Sequence, residues 1–85
     1  MAFNAVFTER AERDFRQLSP EIQKRIIEKL NFFLAAKNPL AFSTRLSDTK
    51  IGGWRFRVGD WRMVIDVQDE TIIILRIGHR REIYR

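Results

Sequence analysis

Apolar positions recur along the chain with two different periods, and the change of period divides it in two. Phe3, Ala5 and Phe7 alternate with other residues, which predicts a short first strand. Thr8 follows as a helix cap, and Glu9 and Glu12 suit the positive end of the helix dipole. Ala11, Phe15 and Leu18 then mark one face at helical spacing. Ser19-Pro20-Glu21 is a second start signal: the serine caps, and proline takes a first-turn position where its missing N–H has no intrahelical partner to lose. Ile22, Ile26, Ile27, Leu30, Phe33 and Leu34 form a broad apolar stripe, which Asn38-Pro39 is expected to end because a residue before proline avoids the helical region. The two helices predict a hairpin, with Glu12, Asp14 and Glu28 on solvent sides. Residues 39 to about 52 read as irregular.

From Trp54 onward the period is two. Trp54-Arg55-Phe56-Arg57-Val58 alternates strictly, Gly59-Asp60 reads as a two-residue turn, and Trp61 to Val67 alternates again. Asp69-Glu70 predicts a second turn before Thr71 to His79, the most apolar strand. A two-residue turn fixes which residues oppose each other. It sets Val58 against Trp61, Phe56 against Met63 and Trp54 against Ile65, all on one face, which Ile72 and Ile74 join. That face is the expected core, covered by the helices.

The opposite face sets Arg57 against Arg62 and Arg55 against Val64. Like charges directly opposed across two strands are destabilising. The pair therefore suggests a bound anion, and phosphate suits the planar guanidinium fork. Solubilising arginines on an outer sheet face are the plain alternative. Regular alternation also carries Val64, Ile73, Leu75, Ile77 and His79 to this face, so an exposed aliphatic strip is expected beside the arginines, as at a binding surface.

Composition narrows the classes. The 85 residues suit one domain spanning 1–85, and 45% apolar with 32% charged residues fits a globular chain. A net charge of +5 favours anionic partners such as nucleic acid or an acidic protein. There is no cysteine, hence no disulfide or thiolate metal site, and the carboxylates are scattered without ligand spacing, so no metal or cofactor is expected. The longest aliphatic run, Ile72 to Leu75, is far too short for a membrane span, and Met1-Ala2-Phe3-Asn4 lacks a secretory layout. A cytoplasmic protein without a membrane partner is the expectation.

The stretch Trp54-Arg55-Phe56-Arg57-Val58-Gly59-Asp60-Trp61-Arg62-Met63-Val64-Ile65, followed by Ile77-Gly78-His79-Arg80-Arg81-Glu82-Ile83-Tyr84-Arg85, resembles the RelE/ParE toxin superfamily, as does the order strand, helical hairpin, antiparallel meander. The resemblance covers essentially the whole chain. It implies an α+β fold with both helices on one face of a single sheet, and a toxin of a type II toxin–antitoxin pair. RelE-type members cut messenger RNA in the ribosomal decoding site without metal: the 2′-hydroxyl attacks the adjacent phosphate, leaving a 2′,3′-cyclic phosphate and a 5′-hydroxyl. ParE-type members inhibit DNA gyrase instead and generally lack the catalytic set.

Carried over by position, Arg57, Arg62, Arg80 and Tyr84 match the RelE-type catalytic set, with arginine where some relatives carry lysine on the second strand of the meander pattern. Arginine stays protonated, so Arg57 can stabilise charge but is a poor proton acceptor. Tyr84 is the candidate base; neighbouring guanidinium groups favour its phenolate. His79 is a candidate acid or base, with a hydrogen-bonding strand-end residue as the equal alternative. Arg80 has the wrong parity for the Arg57/Arg62 face unless Gly78 marks a bulge. Arg55, Arg81, Arg85 and Lys50 are the candidate RNA-binding residues, and Val64, Ile73, Leu75 and Ile77 the candidate contacts for a cognate antitoxin in a hetero-oligomer. A gyrase-binding toxin and a non-catalytic nucleic-acid-binding domain remain the alternatives to a nuclease.

Overall fold

A computed structural model describes residues 3–47 and 51–83. Strand β1 (Asn4–Phe7) leads into helices α1 (Glu9–Arg16) and α2 (Pro20–Ala35). A short 3-10 helix (Pro39–Phe42) and strand β2 (Thr44–Arg45) follow, then β3 (Trp54–Val58), β4 (Trp61–Gln68) and β5 (Thr71–His79). The five strands form one sheet in the order β1-β5-β4-β3-β2, and the fold is α+β with both helices on one face. β1 runs parallel to β5, so the sheet is mixed; β2 to β5 are antiparallel.

The capping signals act as expected. The Thr8 hydroxyl accepts the Ala11 amide at 3.1 Å, and the Ser19 hydroxyl accepts that of Ile22 at 3.4 Å. Helix α2 ends at Ala35, three residues before Asn38, and Pro39 instead opens the 3-10 helix. The segment expected to be irregular thus holds a helical turn and a two-residue strand.

The core lies between the helices and the predicted face of the meander. Ala11, Ile26, Leu30 and Phe33 meet Phe56, Val58, Met63, Ile65, Ile72 and Ile74. Full burial of each larger side chain stabilises by about 1.5–3 kcal/mol. Phe33 stacks on Phe56 with centroids 4.4 Å apart, which fixes α2 over β3. Ile27, placed on the apolar stripe by spacing, is exposed.

Both turns have the expected two-residue length. Gly59 adopts φ +61° and Asp69 φ +56°, left-handed values that tight hairpins require. The register is as read from the alternation: Arg57 opposes Arg62, Arg55 opposes Val64, and Gln68 opposes Thr71.

The alternation fails in the middle of β5. Val64 pairs with Arg76 but Ile65 pairs with Ile74, so Leu75 is an extra residue and the strand bulges. Every later side chain changes face. Ile77 opposes Met63 and lies 2% exposed in the core, and His79 opposes Trp61 on the helix side. The aliphatic strip expected on the outer face is corrected accordingly, since Ile77 is not part of it. Val64 is on that face but only 1% exposed. The chain at Gly52 covers it: a Cβ there would stand 2.5 Å from Val64 Cγ1 and 3.0 Å from Leu75 Cδ1, an approach that excludes a side chain.

Helix α1 clamps the bulge. The Thr8 amide donates to the Ile74 carbonyl at 3.0 Å, and the Thr8 hydroxyl donates to the Leu75 carbonyl at 3.1 Å. Asp14 Oδ2 accepts the Ile77 amide at 2.9 Å and Arg76 Nε at 3.0 Å. Asp14 is therefore not a solvent-side carboxylate: β1 stops pairing at Phe7↔Ile74, and Asp14 takes over the next open amide of the β5 edge.

Candidate active site

Three arginines gather at the Gly59-Asp60 turn. Arg57 and Arg62 stand opposite each other on β3 and β4. Arg62 Nη1 donates to the Gly59 carbonyl at 2.8 Å and to the Trp61 carbonyl at 3.0 Å, while Arg57 Nε approaches the same Gly59 oxygen at 3.5 Å. One backbone oxygen thus holds both forks side by side and offsets part of their repulsion. Arg62 is 8% exposed, so its position is fixed by packing; Arg57 is open to solvent.

Arg80 joins them because of the bulge. With the parity of β5 shifted, Gly78 opposes Arg62, and the next outward residue falls beside the turn. The Arg80 amide donates to the Asp60 carbonyl at 2.8 Å, and Arg80 Nε lies 3.7 Å from Asp60 Oδ1. The parity change expected at Gly78 occurs three residues earlier, at Leu75. Asp60 partly screens Arg80, but half-exposed guanidinium and carboxylate groups interact weakly in water and leave Arg80 available to an anion.

Arg25 of α2 also reaches this turn. Its Nη2 lies 2.8 Å from the place a Cβ on residue 59 would occupy, so Gly59 answers both to its backbone angle and to this contact. Arg25 was invisible to sequence reasoning because it sits on a helix 34 residues before Gly59, the turn residue it touches. The arrangement sets Arg25, Arg57, Arg62 and Arg80 around one two-residue turn, Gly59-Asp60, and such fixed positive charge suits a phosphate diester.

The remaining candidates divide. Arg55, two residues before Arg57, shares its face and is half-buried between Thr44 and Val64. Arg81 is exposed in the turn after β5, where its amide donates to His79 Nδ1 at 3.3 Å. The structure does not bring His79 to the arginines. The bulge turns it to the helix side, edge-on to Trp61 at 5.5 Å, in a cleft lined also by Arg10, Asp14 and Gln17. Its placement in the arginine cluster is corrected to that of a strand-end residue accepting a turn amide. Of the aliphatic strip, Ile73 and Leu75 are half-buried on the outer side, while Val64 and Ile77 are buried. Lys50, Tyr84 and Arg85 lie outside the described residues. Among the described residues no three histidine or carboxylate side chains stand close enough to hold a metal ion, and no helix is long and apolar enough to cross a membrane.

A sequence model of the family described as ParE toxin of type II toxin-antitoxin system, parDE, matches residues 5–84. The chain belongs to this toxin family, within the RelE/ParE superfamily. Among curated relatives, this toxin is similar to Toxin RelG of Mycobacterium tuberculosis, 33% identical over 87 residues that cover 100% of this chain and 99% of the relative. Toxin RelE3 of Methanocaldococcus jannaschii is 32% identical over 83 residues, covering 93% and 92%. Among solved structures, a chain of the RelBE2 toxin-antitoxin complex of Mycobacterium tuberculosis superimposes with a TM-score of 0.76 at 28% identity, covering 94% of this chain and 100% of that one.

Proposed function

We propose that this toxin is a metal-independent endoribonuclease that cleaves messenger RNA in the ribosomal decoding site, and that its whole length, 1–85, acts as one toxin domain. The observation that supports the reading most is the opposed pair Arg57 and Arg62 sharing the Gly59 carbonyl, with Arg80 brought to the same turn. In the reaction the 2′-oxygen attacks the adjacent phosphorus and the bond to the 5′-oxygen breaks. The 2′-proton leaves to a base, and the departing 5′-oxygen gains a proton. The arginines stabilise the charge that builds on the phosphoryl oxygens. Because Arg62 is held by packing and Arg57 and Arg80 by the turn, their charge is aimed before the substrate arrives. The base is Tyr84 by likeness to RelE-type toxins; His79, on the helix side of the sheet with its Nδ1 accepting the Arg81 amide, is given the role of a strand-end residue. Arg55 and Arg81, with Lys50 and Arg85, extend the positive surface for RNA.

A cognate antitoxin neutralises the toxin in a hetero-oligomer; the similar structures from Mycobacterium tuberculosis and Methanococcus jannaschii are toxin–antitoxin complexes, which supports such a partner. Ile73 and Leu75 are its candidate contacts on the outer face; Val64 is reached only if the chain around Gly52 moves, and Ile77, buried in the core on the helix side, is not one of them.

Primer extension on messenger RNA after induction tests the nuclease reading. Discrete cuts within codons are expected, and Arg57→Ala should slow them about 100- to 1000-fold, the usual effect of losing one charge-stabilising donor. Cleavage at the normal rate in that variant sinks the mechanism. The ParE label of the matching family supports a second reading, inhibition of DNA gyrase. It predicts DNA damage with no messenger cuts.

A further inference from the structure

The outer flank of α2 carries cations that run on from the arginine cluster and end at exposed aromatic rings. Arg25 touches the Gly59 turn. Four residues along the same helix face, Lys29 Nζ lies 5.3 Å from the centroid of Phe32 and 5.9 Å from that of Phe33. Phe32 is 55% exposed, and Phe42 of the 3-10 helix is 45% exposed; their rings meet edge to face at 5.4 Å. Phe33 lies beneath, stacked against Phe42 at 5.4 Å and against the core ring of Phe56 at 4.4 Å. The exposed rings are therefore fixed to the interior, not loose on the surface. Arg25, Glu28, Lys29 and Phe32 line one hollow with Val58 and Gly59, which joins the aromatic patch to the turn that holds Arg57 and Arg62. The carboxylate in that hollow, Glu28, lies 4.0 Å from Lys24, so the surface stays basic.

The core face of α2 is already satisfied by Ile26, Leu30 and Phe33, so packing gives no reason for two phenyl rings to face water. Rigid exposed rings interleaved with cations, reaching from the helix side to the Gly59 turn that holds Arg57 and Arg62, fit a single nucleic-acid strand: the cations follow its phosphates and a ring stacks a base. We propose that Arg25, Lys29, Phe32 and Phe42 form a track for the messenger strand flanking the scissile phosphate. The proposal rests on reading the chain as a messenger-cleaving toxin, and it assigns the helix flank a role in holding substrate that the arginine cluster alone does not supply.

The test uses the full toxin on ribosomes programmed with a messenger that carries 2′-O-methyl at the cut position and 4-thiouridine at flanking positions. Ultraviolet crosslinks to the messenger are expected in the peptide containing Lys29 and Phe32. Phe32→Ala and Lys29→Glu should each weaken binding of this blocked messenger about tenfold, in line with the loss of one stacked base or one phosphate contact. Val6→Ala, a 48% exposed apolar side chain on β1, should leave it unchanged. Thermal melts check that the variants fold. Wild-type binding in both variants, or crosslinks that join this peptide to ribosomal RNA only, overturns the track. So does a loss of affinity for the antitoxin with messenger binding intact, which makes the patch a protein site. An unblocked messenger separates the two readings: crosslinking without cutting leaves the track standing and removes the nuclease, whereas cutting without crosslinks removes the track alone.

Discussion

The two halves of β5 obey different rules. Residues 71–74 lie between β1 and β4 in regular register, and their side chains alternate between core and surface. From Arg76 on, β1 no longer flanks the strand, a residue has been inserted, and α1 supplies the hydrogen-bond partners that a neighbouring strand would give. The first half builds the core. The second uses the same kind of backbone to turn Arg80 toward Arg57 and Arg62 and His79 away from them. A single extra residue therefore chooses which basic side chains meet, without any change in their identity. Bulges beside functional sites commonly re-aim side chains in this way.

Substitutions in each half sharpen the contrast. The largest effect on stability belongs to the regular half. Ile74→Ala empties a fully buried site and should destabilise by about 2–5 kcal/mol, read as a lower urea midpoint. Loss at the bulge should be smaller but more consequential for activity. Asp14→Ala removes the acceptor for the Ile77 amide and for Arg76, at about 1–3 kcal/mol. Faster hydrogen exchange at the Ile77 amide and weaker messenger cutting should accompany it, while the Ile72 and Ile74 amides keep their protection. Uniform loss of protection along β5 would show that the two halves are one unit. Thr8→Ala should come last, at about 0.5–2 kcal/mol, because it loses the cap of α1 together with the bond to the Leu75 carbonyl.

What could be read in the sequence follows from how sharply each residue marks its face. In β3 and β4, large apolar and charged residues alternate, and Gly59-Asp60 fixes the offset, so the Arg57–Arg62 pair was legible before any coordinates. In β5, Ile72, Ile73, Ile74, Leu75 and Ile77 are all aliphatic. Such a run looks the same whether or not a residue is inserted, and the parity of Ile77, His79 and Arg80 was lost with it. Asp14 looked like a solvent carboxylate because its role depends on where β1 stops, a tertiary fact. Arg25 and Lys29 were hidden for the same reason: the helix pattern gives their face but not the turn beside it. The parallel pairing of β1 also left no local trace, since its partner lies more than sixty residues away.

That distant pairing constrains when the molecule can exist. β1 and the start of α1 are made first, yet their partners, Ile72 to Ile74 and the Leu75 carbonyl, are the last strand described. Parallel pairing across so long a separation has a high loop-closure cost and forms late. The helices and the β3–β4 hairpin rest on contacts nearer in sequence and can form before the strand that seats Arg80 beside them. The arginine cluster is therefore complete only when the whole sheet has closed, so the seating of Arg80 marks the last step of folding and not the formation of the hairpin that carries Arg57 and Arg62.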